Sequence, residues 1–109
     1  MKIEELFGVN KSNLCEKWFS LSALSREVND KKTALIQKIE KMQKKLFRNK
    51  PVLGATCWFV IEVLFLPNNY IGVKMEDGHI ENYAILKHDT ESDKLTVVIE
   101  SELQRFWFT

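Results

Sequence analysis

The chain has 109 residues, 45% of them hydrophobic and 28% charged, which is enough for one compact core and too little for two. That balance excludes a disordered chain. Four glycines, no two of them close together, exclude a glycine-rich phosphate loop, and two cysteines exclude a disulfide framework.

Lys2 to Val9 predicts one short helical turn with Ile3, Leu6 and Phe7 apolar and Gly8 as its stop. Lys2-Ile3-Glu4-Glu5 follows Met1 with no apolar run, so no secretory signal is expected. A cytoplasmic protein with free, buried Cys15 and Cys57 thiols is the simplest reading. Ser12 or Asn13 supplies an N-cap for a helix over about 12–28. Leu14, Trp18, Leu21, Ser25 and Val28 recur there at helical spacing, and Cys15, Phe19 and Leu24 widen the stripe. Asn29-Asp30 reads as a break, because Asp favours a cap over a helix interior. A second helix is expected over about 31–48, with Leu35, Ile39, Met42 and Leu46 on one face. Asn49-Lys50-Pro51 ends it, since the residue before a proline is pushed out of the α region.

Ala55 to Leu66 is the most apolar stretch, with Glu62 its one charge. It is far shorter than the roughly 20 residues a membrane span needs. Its β-branched and aromatic content favours a strand over about 55–66, closed by Pro67. Alternation places Cys57, Phe59, Ile61, Val63 and Phe65 on one face, and Trp58, Val60, Glu62, Leu64 and Leu66 on the other. Two mostly apolar faces predict a central strand. Pro67-Asn68-Asn69 is turn chemistry, and Asp77-Gly78 is a strong hairpin signal. Strands are expected over about 70–76, 80–88 and 94–100, the last two separated by the polar loop around Asp89 to Asp93.

Together these elements predict a single α+β domain over 1–109. Both N-terminal helices pack on one face of a four-stranded antiparallel meander, and a short aromatic tail follows. One helical layer covers one face. The second face, with Trp58 and Leu64, is then expected to be closed by the tail Phe106-Trp107-Phe108, a second copy or another protein.

Charge divides at the same place as structure. Residues 1–50 carry twelve Lys/Arg and six Asp/Glu, and residues 51–109 carry four and nine. The simple cause is lysine on solvated helix faces and acid in turns. The sharper reading is a basic helical surface that meets an anion.

Catalytic chemistry finds little to stand on. Glu76 and His79, or His88 and Asp89, are too few ligands for a metal site. A nucleophile pair would need Cys57 or Cys15 beside a histidine, and apolar surroundings keep a thiol neutral. No metal or other cofactor is expected, and no enzyme. The leading expectation is a non-enzymatic intracellular adaptor, regulator or inhibitor that binds another protein. Its candidate contacts are Trp58, Leu64, Glu76, Asp77, Phe106, Trp107 and Phe108, since aromatic anchors concentrate interface energy. A homodimer would bury the same face, and no membrane contact is expected. The alternative is nucleic-acid binding through Lys31, Lys32, Lys38, Lys41, Lys44, Lys45 and Arg48. Leu21 to Ile36 has a degenerate helix-turn-helix rhythm, without the usual turn glycine.

Overall fold

Two tight connections and one polar loop build the sheet. In the first connection Asn68 and Asn69 both hold φ near +63°, a left-handed conformation that asparagine tolerates better than most residues. In the second, Gly78 sits at φ +96° and Asp77 Oδ1 accepts the Ile80 N–H at 2.9 Å. The computed structural model describes residues 6–26, 28–51, 57–78 and 80–102. Its elements are α1 (Leu14–Ser22), α2 (Asn29–Leu46), β1 (Phe59–Leu66), β2 (Tyr70–Glu76), β3 (Glu81–Asp89) and β4 (Lys94–Glu100), with a short 3-10 turn at Pro67–Asn69. The strands pair antiparallel in the order β1-β2-β3-β4, the expected α+β meander.

The helices do not share a face, which corrects the single-layer expectation. Ile39 of α2 is buried with Val63, Val73, Met75, Ala84 and Leu86. Leu14, Trp18 and Leu21 of α1 are buried on the other side, with Leu64, Leu66, Tyr83 and Ile85. The sheet therefore sits between two helical layers, and each layer buries its own apolar stripe. The reason lies between the helices. α1 ends at Ser22 because the next residues take up strand partners: the Arg26 N–H donates to the Phe65 carbonyl at 3.0 Å, and Ser25 Oγ accepts the Phe65 N–H at 3.0 Å. The chain thus passes round the outer edge of β1, and α2 begins on the far side.

β1 is consequently an edge strand, not a central one. It also starts four residues later than expected: Cys57 and Trp58 precede it, and 55 and 56 lie outside the described residues. A bulge between Val60 and Glu62 breaks its alternation. Val63 and Phe65 face α2, as does Val60 on the other side of the bulge; Glu62, Leu64 and Leu66 face α1. An extra residue in one strand reverses the inside–outside pattern beyond it. That is why Trp58 and Val60 do not share a face with Leu64.

Gly72 marks where α1 approaches the sheet most closely. A Cβ there would lie 3.2 Å from Trp18 Cη2 and 3.3 Å from Leu64 Cβ. The missing side chain makes room for the indole. Gly72→Val is expected to destabilise the fold by about 1–3 kcal/mol through overpacking, read as a lower urea midpoint with an unchanged slope.

Candidate functional site

The residues expected to meet a partner are largely structural. Trp58 is 2% exposed; its Nε1 donates to the Asn49 carbonyl at 3.0 Å, and its N–H donates to Gln43 Oε1 at 2.6 Å. Leu64 is buried beneath α1. Neither offers an anchor on the surface. Asp77 is buried and shapes the β2–β3 turn, which leaves the half-buried Glu76 alone of that acidic pair near the surface. Phe106, Trp107 and Phe108 lie outside the described residues.

Phe19 of α1, Leu24 and Val98 are exposed singly, and two exposed apolar residues fall close together on β1. Phe59 is 58% and Ile61 47% exposed, and Ile61 is the extra residue of the bulge. Alternation assigns both to an inner face, so the sequence gives no warning of them. They stand on the outer strand, where polar side chains occupy much of the backbone edge. Glu40 Oε2 accepts the Val60 N–H at 2.9 Å, Gln43 bonds both backbone groups of Trp58, and Ser25 and Arg26 close the Phe65 end. Covering an edge in this way blocks strand-to-strand pairing and leaves the side chains as the means of contact. An open cleft beside Phe59 is walled by Gln37, Glu40 and Lys41 of α2.

The groups considered for catalysis are scattered. Cys15 is exposed on α1, not buried, and Cys57 is half-buried ahead of β1. The pairing of Phe59 with Glu76, and of Glu76 with Glu81, puts Cys57 at one end of the sheet. His88 pairs with Leu95 at the other end. His79 lies outside the described residues. Among the described residues no three His, Cys, Asp or Glu side chains converge as metal ligands. Tyr83, beside Trp18, has its phenol pushed far up by burial and then by its 2.8 Å hydrogen bond to Glu81. No described helix is long and apolar enough to cross a membrane.

The basic residues of α2 and of the segment just after it divide by position. Lys41, Lys44, Lys45 and Arg48 are exposed, and none has a carboxylate partner among the described residues. Lys32 lines a small recess with Ser25 and Glu62 at the crossing of β1. Lys31 and Lys38 line a larger cleft. The helix-turn-helix rhythm is not realised as a motif, because α1 and α2 lie on opposite faces of the sheet.

The larger cleft holds about 340 Å³ and draws on seven elements and connections. α2 contributes Lys31, Ala34, Leu35 and Lys38, spaced i, i+3, i+4, i+7 along one face. Arg26 comes from the crossing, Phe65 from β1, Asn69 and Ile71 from the turn and β2, His88 from β3, and Asp93 from the β3–β4 loop. Asp93 holds Lys38 Nζ on Oδ2 at 2.8 Å and His88 Nε2 on Oδ1 at 2.7 Å; Lys38 also donates to the Asp93 carbonyl oxygen. The Lys38 hydrogen bond, then that of His88, holds the Asp93 carboxyl below its usual range. Arg26 and His88 carry no short-range motif that would mark this site in the sequence. Lys31 and Lys38 were among the basic candidates, but their spacing alone says nothing of the apolar floor.

No protein-family model, curated protein or solved structure matches the chain.

Proposed function

We propose that this is a non-enzymatic, intracellular binding protein that acts by occupying another protein's surface through Phe59 and Ile61. The observation that carries the reading is their exposure, two residues apart on a strand whose backbone edge is largely covered. Buried aromatic and aliphatic anchors supply most interface energy, and an open cleft next to Phe59 gives a partner side chain a place to sit. Two free thiols suit a reducing compartment. A second reading, sequence-independent contact with nucleic-acid phosphate, is favoured by four exposed cations without a carboxylate partner among the described residues, Lys41, Lys44 and Lys45 on α2 and Arg48 just beyond it.

One comparison separates the two readings. Phe59→Ser with Ile61→Ser is expected to weaken capture of partner proteins by at least about tenfold. It should leave the folded circular dichroism spectrum intact. Lys41, Lys44 and Lys45 changed together to Glu should leave that capture unaltered. The reverse pattern, with duplex DNA retained in low salt, lost steeply as salt rises and abolished by the lysine changes, would put nucleic acid in place of protein. Light scattering of the wild type and the β1 double variant reports whether the partner is a second copy.

A further inference from the structure

We propose that the cleft between the first half of α2 and the Pro67–Asn69 end of the sheet binds a small amphipathic anion, one carboxylate or phosphate head on an apolar body. This site is separate from the Phe59–Ile61 surface, and the proposal stands or falls independently of that reading.

Three properties of the cleft point to that chemistry. Its volume, about 340 Å³, lies within the range of about 300–1,000 Å³ typical of small-molecule sites. Its floor is apolar: Leu35, Phe65 and Ile71 all line it, and the last is 4% exposed. Its charge is unbalanced. Among the described residues that line it, Arg26, Lys31 and Lys38 face a single carboxylate, Asp93, and that carboxylate is already held by Lys38 and His88. Arg26 and Lys31 are exposed and have no ion-pair partner among the described residues. An apolar floor beside two unneutralised cations selects a ligand with an apolar body and one anionic end. Charge-assisted hydrogen bonds to Arg and Lys would hold the head, and burial would hold the body.

Ala34 is the smallest side chain lining the cleft. Ala34 lies between Lys31 and Lys38 on the same helix face and is itself exposed, so a larger side chain there can fill the cleft without disturbing the core. That gives a variant which leaves every charge in place. Asp93 already bridges Lys38 and His88, so the Lys38 ammonium is a positioned wall and not the free cation the head would meet.

The test is calorimetric titration of the whole chain with octanoate, octyl phosphate and octanol. Saturable binding of octanoate, octyl phosphate or both is expected, with octanol at least about tenfold weaker. Preference between the two anions identifies the head. Arg26→Gln with Lys31→Gln should weaken anion binding about tenfold or more while the melting temperature stays near that of the wild type. Ala34→Phe should weaken it comparably by occlusion. The proposal is overturned if neither anion binds at millimolar concentration, if octanol binds as well as the anions, or if both folded variants bind like the wild type. The first variant removes charge without adding bulk and the second adds bulk without removing charge, so misfolding of one leaves the other to decide.

Discussion

Trp18→Ala is expected to lower the unfolding free energy by about 3–5 kcal/mol, the largest effect of any single change on the α1 side of the sheet. The side chain is 7% exposed and lies over Gly72, edge-on to Tyr83 with ring centroids 5.3 Å apart. Removing it opens a cavity that the surrounding Leu64 and Ile85 cannot collapse to fill, because both are fixed on paired strands. The indole Nε1 also donates to Glu62 Oε1 at 2.6 Å. Trp18→Phe keeps much of the packing and loses that donor, leaving a half-buried carboxylate short of a partner, so it should cost about 1–3 kcal/mol. Glu62→Gln keeps an acceptor and should cost less than either. Urea denaturation gives the three values. If Trp18→Ala and Trp18→Phe are equally costly, the hydrogen bond and not the packing holds α1 to the sheet.

Glu100→Ala should destabilise by about 3 kcal/mol, although Glu100 is a charged residue near the end of the chain. Its carboxylate is 7% exposed and accepts three bonds: the Arg48 N–H at 2.8 Å, the Asn49 N–H at 2.9 Å and Asn82 Nδ2 at 2.9 Å. Asn82 is fully buried, and the Asn49 amide in turn donates to Asn82 Oδ1 and to the Ser101 carbonyl. Truncation leaves several donors without an acceptor in a place water reaches poorly, and an unmet buried donor costs more than a made bond contributes. Glu100→Gln retains one acceptor oxygen and should fall between the wild type and Ala. Hydrogen exchange distinguishes this from general loosening: the Arg48 and Asn49 amides should lose protection first. Equal loss across all four strands would show that Glu100 acts through the sheet and not through the segment after α2.

Local chemistry made the meander readable. Asp77-Gly78 and Pro67-Asn68-Asn69 turn the chain where turn residues demand it, and the Leu35-Ile39 stripe marks the helix that covers one face. The bulge at Ile61 was not readable, because alternation in Phe59 to Leu66 looks unbroken until the register with β2 is known. The end of α1 was hidden for a similar reason: Ser25, at helical spacing from Leu21, instead meets Phe65, forty residues on. These two features decide which side chains reach the surface, so alternation alone puts Trp58 and Leu64 outside and Phe59 and Ile61 inside, the reverse of their burial. Gly72 was the one available hint that the second face is closely covered, since a glycine within a strand often marks a near neighbour. The cleft gathers residues from seven elements and connections, and no spacing rule links Arg26 to His88.

The carboxylate of Glu100 meets an amide 52 residues earlier in the chain. During synthesis the two helices emerge before anything they cover, and at about 5–20 residues per second the last strand follows roughly 3–10 s later. Until β1 to β3 have followed, the apolar stripes of α1 and α2 have no sheet to pack on, and until β4 follows the Arg48 and Asn49 amides lack their Glu100 acceptor. Closing the segment after α2 is therefore a late event that waits for β4. Stop codons introduced before β4 should yield chains that are captured by chaperones or degraded, however native their first eighty residues are in sequence.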